Sequence, residues 1–590
     1  MKGAGWVLLI GLEAMKWAGW VIHQSGSDER GGAGSFIGLE VMKGAGWVLL
    51  IGLEAMNNFN EFLPLIEKSI FEADFVAIDC EFTGLHLPGE GPSLFDSGAD
   101  RYAKLRRAVQ AFMPSQIGIS AFVRDKNSLY YAKYCVDLSV SLAYFSPHIS
   151  PFLARYEAHT YNFFIFPLSF GPIDVQFSCQ FVYEGISVLN EEQEKTLSKH
   201  LRENELFSGL IRDVDESSLQ SVCLQVTNWL NQSPKESEFF FTIPPELPEY
   251  IIIKELRQRF SNIWITAEKG KILVQRVTTD ERIKMEEDSK QAEEKKITKK
   301  MLGFTQVFRS LIKSKKPLIG HNCFTDLLFL YEKCYQPLPE SYLTYKAKLH
   351  TLFPIIYDTK SISSGLRKTF DSEGYFNDSK LSKLFENLTG AKTPMLTLCN
   401  PEVNHHPLSS RYKTEMLYHE AGFDAYMTGL VFLQTAHIVH YEAYRHLSSE
   451  MKAPSFHQYS VALKQYVNEI NLIRASVQCI RLGGDDPPVS RPHWLHVTYL
   501  HSPMHPNQLA CLLSAHGAVD VQADSHWSAL VAVPNFTCGK AILKAYKQDN
   551  TLRITRYIAW KHNPVVTGCL GVGLIVSTSL CVWVVYSTLK

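Results

Sequence analysis

Two carboxylates spaced two residues apart are the first candidates for chemistry in this sequence. Asp79 and Glu81 follow the apolar run 75–78. Such a run predicts a buried strand, on which residues two apart point to the same face. Carboxylates that project side by side repel one another unless a cation lies between them, and hard divalent ions such as Mg²⁺ prefer oxygen ligands. The pair therefore predicts a metal site, with a solvated strand end as the alternative that so short a motif leaves open.

Two later stretches supply further candidates. Asp326 follows a short apolar strand and the turn 320–322, and it lies at the start of a predicted amphipathic helix. His419 and Asp424 are five residues apart in a segment that is predicted to open another helix, so they should lie within about one and a half turns of each other. This spacing would place an imidazole beside a metal-bound carboxylate.

These pieces, in this order, resemble the His-containing subclass of the DEDD exonucleases. Longer phrases within residues 57–441 resemble the poly(A)-specific ribonuclease family. The phrases are ADFVAIDCEFTGL, SQIGIS, YNFFIFP, LNEEQE, KPLIGHN, PLPESY, LFPIIYDTK and HEAGFDAY. Carried over residue by residue, the family's metal-binding acids fall on Asp79, Glu81, Asp326 and Asp424, and its general base falls on His419. Asp358 is a fifth acid in a shared phrase, and it is assigned a structural role because four carboxylates suffice for two metal ions.

The resemblance implies a 3′-to-5′ exoribonuclease that hydrolyses single-stranded RNA at its 3′ end with two Mg²⁺ ions, or Mn²⁺ in their place, and releases 5′-monophosphates. His419 would take the proton from the attacking water, since histidine titrates nearest neutral pH. Because the C-terminal tail is similar to that of the family's membrane-anchored members, trimming of PIWI-bound piRNA precursors on a Tudor-domain scaffold is favoured over general poly(A) deadenylation. A catalytically silent, membrane-tethered RNA-binding adaptor is the alternative outside the enzymes, and the presence of all five residues weighs against it.

Length and composition fit two or three globular domains. The chain has 590 residues, of which 46% are hydrophobic and 20% charged, and its formal net charge is −1. RNA binding would therefore need a local positive surface. Twelve cysteines without a C-x-x-C pair indicate reduced intracellular thiols and argue against a zinc site. The implied fold class is α/β, with an RNase H-like exonuclease domain built on a mixed sheet flanked by helices. A homodimer is one alternative for the oligomeric state.

The sequence divides into several predicted regions. Residues 1–15 recur letter for letter at 42–56, so 1–56 is interpreted as a low-complexity repeat that is disordered or an artefact of the gene model. Residues 134–155 have no counterpart in the family pattern and are interpreted as an inserted loop or a sequence error. The other predicted regions are a nuclease domain in two parts at 57–204 and 301–445, a small α/β insert at 205–300, a linker at 446–490, a degenerate RRM-like domain at 491–561 and a transmembrane helix at 564–586.

The two accessory regions are not predicted to read RNA. The insert lacks the Arg-x-x-x-His motif of the family's single-strand-binding domain and contains no histidine. The RRM-like region has the predicted element order β-α-β-β-α-β, yet Tyr499 and Trp527 are its only candidates for base stacking. Packing or protein contact is therefore the favoured role of this region.

The C-terminal tail predicts a membrane anchor. Residues 564–589 contain no charged side chain, and about 20 apolar residues suffice to cross a bilayer. Arg553, Arg556 and Lys561 precede the tail, which places the catalytic part in the cytosol by the positive-inside rule. The family resemblance favours the mitochondrial outer membrane, with the endoplasmic reticulum as the alternative.

Overall fold

The computed structural model describes residues 59–125, 154–165, 186–202, 216–232, 237–242, 249–268, 271–389, 400–444, 453–562 and 564–588. The predicted repeat at 1–56 lies outside these residues. The predicted insertion at 134–155 also lies outside them, except for its last two residues.

The described residues form helices and strands throughout. The strands are β1 (Phe75–Phe82), β2 (Pro114–Arg124), β3 (Arg155–Phe164), β4 (Glu238–Thr242), β5 (Ile263–Glu268), β6 (Lys271–Arg276), β7 (Leu318–Gly320), β8 (Ile356–Asp358), β9 (Glu402–His405), β10 (Glu469–Asn471), β11 (Cys479–Arg481), β12 (Leu495–Tyr499), β13 (Asp520–Ser525), β14 (Ser528–Ala532) and β15 (Leu552–Arg556). The helices are α1 (Phe59–Glu72), α2 (Gly98–Ala111), α3 (Glu191–Arg202), α4 (Glu216–Gln232), α5 (Glu249–Arg259), α6 (Thr279–Leu302), α7 (Phe304–Ser314), α8 (Phe324–Cys334), α9 (Tyr342–Leu352), α10 (Thr359–Leu366), α11 (Leu381–Thr389), α12 (Ala421–Tyr444), α13 (Phe456–Ala462), α14 (Pro506–Leu513), α15 (Phe536–Ala545), α16 (Ala559–His562) and α17 (Pro564–Thr588).

The strand β1 lies inside a six-stranded mixed sheet of order β8-β7-β1-β2-β3-β9. β2 is antiparallel to β1 and β3, and the other neighbours are parallel. Phe75 and Ala77 pack into the core on the α12 side, whereas Val76 and Ile78 pack into the core formed with α1, α7 and α8. The predicted mixed sheet flanked by helices is thus present, and β1 alternates between its two faces as a strand must.

The inserted region contains a three-stranded antiparallel sheet of order β4-β6-β5. Its core includes Leu219, Val222 and Val226, which are spaced three or four apart along α4 and therefore share one helix face. With the helices α4 and α5, these strands make the insert a mixed α/β region, whereas the strands β4 and β5 are not evident in the sequence.

The C-terminal module comprises β12 to β15 with α14 and α15, in the predicted order of elements. Its antiparallel sheet has the strand order β13-β14-β12-β15, and the RRM-like assignment stays a prediction. Tyr499 is only 5% exposed and packs in the core of this module, so the prediction that it is available for base stacking is wrong. Trp527 is exposed.

Two further predictions fall on the last part of the chain. In the predicted linker at 446–490, the described residues include Tyr459, Ile470 and Ile480, which are buried in the two cores of the nuclease sheet. In the part of the chain that the structure describes, α17 is the helix long and apolar enough to cross a membrane. Its segment Gly568–Thr588 has a mean hydropathy of 2.1 and contains no buried residue.

Candidate active site

The two acids of β1 lie on the sheet face that α12 covers. They alternate with buried Cys80 and continue the face that begins with Phe75 and Ala77. Across the antiparallel ladder, Asp79 pairs with Gly118 and Glu81 pairs with Gln116 of β2. The face under α12 therefore carries both predicted acids, and it also carries polar side chains from the neighbouring strands.

Two side-chain amides on this face hold the first turn of α12. The backbone N–H of Ala421 donates to Gln116 Oε1 at 3.3 Å, and that of Gly422 donates to Asn162 Oδ1 at 3.0 Å. Asn162 Nδ2 also donates to Gln116 Oε1 at 3.1 Å. The first N–H groups of a helix have no partner within the helix, so these contacts satisfy them and fix the helix end on the sheet. Asp424 lies in this fixed turn.

Glycine at position 118 permits the close approach of α12. A Cβ atom at Gly118 would lie 1.8 Å from the carbonyl oxygen of Ala421 and 2.5 Å from the nitrogen of Gly422. Both contacts are with backbone atoms, which cannot rotate away as a side chain can. Any larger residue at this position would push the helix, and Asp424 with it, away from β1.

His419 does not lie on a helix, and that prediction is wrong. Its backbone is left-handed, with φ +66°, and α12 begins two residues later at Ala421. A non-glycine residue in this region ends regular helical hydrogen bonding. The adjacent Glu420 accepts hydrogen bonds from the Arg411 guanidinium and the Tyr412 hydroxyl, which hold the turn in place.

The turn nevertheless brings His419 to the predicted acids. Ligand atoms of Glu81, His419 and Asp424 lie within 4.8 Å of one another. Burial raises the pKa of Asp424 to about 6, although the backbone hydrogen bond from His419 lowers it. Burial likewise raises the pKa of Glu81, and the nearby His419 lowers it.

Asp79 and Asp326 extend this group of acids. Burial raises the pKa of Asp79 well above its ordinary value, and the charges of Asp326, Asp424 and Glu81 raise it further. Asp326 lies in the first turn of α8 and is 7% exposed. Burial raises the pKa of Asp326 to about 7, although hydrogen bonds from the backbone and thiol of Cys80 lower it. Asp79 therefore interacts electrostatically with each of the other three predicted acids.

The donor set fits a divalent cation. Asp424 Oδ1 is buried and has no hydrogen-bond partner among the described residues, as expected of an oxygen placed to ligate an ion. Burial is the largest cause of the raised pKa of each of the four acids, and a cation bound among them would offset the cost of ionising them there. Carboxylate oxygens are the ligands of Mg²⁺ and Mn²⁺, so these residues suit either ion.

Asp358 joins three segments next to this site. It is fully buried at the end of β8. Its carboxylate accepts backbone N–H groups from Asn322 at 2.9 Å, Cys323 at 3.2 Å, Lys360 at 2.9 Å, Ser361 at 3.4 Å and Asn471 at 3.0 Å. The first two donors belong to the turn that leads into α8. By holding this turn, Asp358 helps to position Asp326 in the first turn of α8. These contacts agree with the structural role predicted for it.

Asp358→Asn should destabilise the fold by about 1.5–3 kcal/mol, because the amide nitrogen cannot accept hydrogen bonds from backbone N–H groups that remain buried. The free energy of unfolding from urea denaturation of the full chain measures this loss. Asp549→Asn is the matched control. Asp549 also accepts two backbone N–H groups, from Thr551 at 2.7 Å and Leu552 at 2.8 Å, but it does so at the surface. Equal losses in the two variants would contradict the role assigned to Asp358.

Comparison with known proteins decides the family. The family model described as CAF1 family ribonuclease matches residues 55–432, which include all five site residues. The chain belongs to the CAF1 ribonuclease family. The predicted resemblance to poly(A)-specific ribonucleases is confirmed by the relatives below.

The relatives include the poly(A)-specific ribonucleases PNLDC1 and PARN and a pre-piRNA trimmer. The chain is similar to poly(A)-specific ribonuclease PNLDC1 of Mus musculus, with 31% identity over 88% of this chain and 97% of that protein. It is similar to the pre-piRNA 3′-exonuclease trimmer of Bombyx mori, with 28% identity over 90% of this chain and 98% of that protein. Similarity to poly(A)-specific ribonuclease PARN of Homo sapiens is 26% identity over 85% of this chain and 79% of that protein.

The sequence did not identify the residues that position the four acids and His419. Gln116 and Asn162 dock α12, and Arg411, Tyr412 and Glu420 hold the turn of His419. A local signal existed for Gln116, a polar residue in the largely buried strand β2, whereas Asn162 lies in a strand that carries several other polar residues. No comparable signal identifies the second group, because its contacts depend on the tertiary structure.

Proposed function

We propose that this CAF1-family chain is a 3′-to-5′ exoribonuclease of the DEDDh type that trims the 3′ ends of PIWI-bound piRNA precursors. The observation that carries the proposal is the convergence of His419 with Glu81 and Asp424 beside Asp79 and Asp326. The Bombyx mori relative, a pre-piRNA 3′-exonuclease trimmer, supports the choice of substrate.

The residues take distinct roles in this proposal. Asp79, Glu81, Asp326 and Asp424 would hold two divalent cations, either Mg²⁺ or Mn²⁺. When bound, such ions stabilise negative charge on the attacking and leaving oxygens of a phosphodiester. His419 is exposed at the rim of the group, where its imidazole can accept the proton of the attacking water. Hydrolysis then releases a nucleoside 5′-monophosphate and leaves a 3′-hydroxyl on the shortened RNA.

Location and partners are part of the same proposal. The apolar helix α17 would anchor the chain as a C-terminal tail in the mitochondrial outer membrane, with the nuclease in the cytosol. A Tudor-domain scaffold would bring the PIWI-bound precursor to the nuclease. A homodimer stays one alternative for the oligomeric state.

Poly(A) deadenylation is the second candidate function. It is favoured by the PNLDC1 and PARN relatives, both of which are named poly(A)-specific ribonucleases. The two candidates share the same site and differ in the RNA that reaches it, so substrate comparison separates them.

The experiment follows the length of a 5′-labelled RNA over time with the full chain and Mg²⁺. Mixed-sequence RNA and oligo(A) are compared, each free and PIWI-bound, with a 3′-phosphorylated RNA as the blocked control. We expect stepwise shortening of PIWI-bound mixed-sequence RNA at a rate within about tenfold of oligo(A), since no base-reading contact is required for hydrolysis at the phosphate. A strong preference for free oligo(A) would support the deadenylase, and RNA binding without any product would support the silent adaptor.

A further inference from the structure

The sheet of the C-terminal module has a core face and an outer face. Leu495, Val497 and Tyr499 of β12 are buried in the module's core. The residues between them, His496 and Thr498, therefore point to the outer face. In RRM folds this outer face is where aromatic side chains stack on RNA bases.

The outer face is covered at His496 by the chain's own residues, whereas Gln522 and Arg553 on the same face are exposed. The imidazole of His562 stacks on that of His496, with ring centroids 4.4 Å apart and an angle of 20° between the planes. The carboxylate of Asp524 lies 3.5 Å from His496 Nε2. As a result the side chain of His496 is only 14% exposed, although it lies on the face opposite the module's core.

His562 belongs to an ordered segment, residues 557–562, which we call the juxtamembrane segment. The backbone N–H of Tyr557 donates to the carbonyl of Trp494 at 2.8 Å, and the Tyr557 ring lies 5.7 Å from the Trp494 ring and 5.6 Å from the His562 ring. The N–H groups of Lys561 and His562 both donate to the carbonyl of Ile558. The apolar helix α17 begins two residues after His562.

The module also contacts the nuclease, in part through the same Trp494 that contacts Tyr557. The Trp494 and Phe95 rings meet edge to face at 5.2 Å, and the N–H of Leu94 donates to Asp520 Oδ2 at 2.6 Å. Arg474 also forms an ion pair with Asp520. Arg491 Nη1 donates to the carbonyl of Pro534 at 2.8 Å, and its Nε donates to that of Ala475. Leu94 and Phe95 lie in the loop that follows β1, so the module joins this loop to the segment before α17.

We propose that the part of the outer sheet face around His496 is the docking surface of the juxtamembrane segment and is not available to RNA. The module then fixes the position of the nuclease relative to α17. The contacts of His562, His496 and Asp524 occupy the place that stacked bases would need, and Tyr499 is unavailable for stacking because it lies in the core. The role of the module in orienting the nuclease at a membrane rests on the proposed membrane anchor. The docking of the juxtamembrane segment does not depend on that anchor.

Amide hydrogen exchange of the full chain in phosphatidylcholine nanodiscs tests the docking. His496→Ala removes the stacking platform without changing the juxtamembrane segment itself. We expect it to raise the exchange rate of amides 557–562 by about fivefold, the effect of losing one stacked ring pair. His496→Phe keeps a flat ring and should restore protection. His501→Ala, an exposed histidine in the same module, is the control and should leave exchange unchanged.

Equal exchange in the wild type and in His496→Ala would overturn the proposal. A second measurement needs no variant: photo-crosslinking of the wild type to RNA that contains 4-thiouridine. We expect no adducts at His496, which the juxtamembrane segment covers, and adducts there would overturn the proposal. A wild type that fails to shorten RNA would contradict the proposed nuclease while leaving both readouts of docking intact.

Discussion

Asp79→Asn is expected to lower the rate of RNA 3′-end shortening by a factor on the order of 10³ or more, which corresponds to several kcal/mol of lost transition-state stabilisation. Asp79 is the acid whose pKa is raised by burial and then by the charges of Asp326, Asp424 and Glu81, so its charge interacts with all three. Removing the charge of Asp79 should therefore abolish cation binding by the whole group of acids, and the effect should exceed the loss of a single ligand. The measurement is a time course with 5′-labelled RNA at saturating Mg²⁺, and an excess of chelator should abolish product formation by the wild type.

The same variant should not be destabilised when the cation is absent. Since the folded state raises the pKa of Asp79, ionised Asp79 opposes folding at neutral pH, and asparagine relieves that cost. We expect a Tm in chelator that equals or exceeds the wild-type value. Mg²⁺ should raise the Tm of the wild type but not that of the variant, because only the wild type binds the ion.

Glu402→Gln is the matched control for Asp79→Asn. Glu402 lies on β9, at the edge of the same sheet and three strands from β1, and it pairs at the surface with Arg155 at 3.2 Å. Its loss should leave both the rate and the response to Mg²⁺ unchanged. Wild-type activity in Asp79→Asn would contradict the role of the acid group in hydrolysis.

The acids of β1 could be predicted from the sequence because strand alternation is a local property. An apolar run followed by Asp-x-Glu places both carboxylates on one face regardless of the rest of the chain. Asp326 and Asp424 are different, since they are 247 and 345 residues from Asp79 along the numbering. Nothing local joins them to β1, and their assignment depended on the order of motifs shared with a family.

Contacts between distant segments account for what the sequence did not reveal. His419 was predicted to be helical because the local sequence around it contains no proline or glycine before Gly422. In the structure, Gln116 and Asn162 accept hydrogen bonds from Ala421 and Gly422, and the helix α12 begins at Ala421, after His419. The strands β4 and β5 are short, and each is stabilised by pairing with β6, which a scan of local pattern does not detect. The stacking of His562 on His496 is likewise a tertiary contact, and the order of elements that predicted the module does not reveal it.

His419→Gly is expected to lower the rate of shortening by about 10²-fold to 10⁴-fold, the usual contribution of a general base. Glycine is the suitable replacement because the backbone of His419 is left-handed, which glycine adopts without strain, whereas alanine would add a conformational cost. The side chain of His419 is exposed, so the free energy of unfolding should change little. The four acids remain, and the Mg²⁺-dependent rise in Tm should persist.

Rescue by free imidazole distinguishes a base from a residue that shapes the turn. In His419→Gly the space beside Glu81 and Asp424 is open to solvent, so added imidazole can enter it and accept the proton of the attacking water. We expect imidazole to restore part of the activity of this variant and none of that of Asp79→Asn, which lacks the cation site. His457→Asn, at an exposed histidine outside the site, controls for loss of an imidazole elsewhere and should keep the wild-type rate. If His419→Gly shortened RNA at the wild-type rate without imidazole, His419 would not be the general base. Another group beside Glu81 and Asp424 would then have to accept the proton of the attacking water.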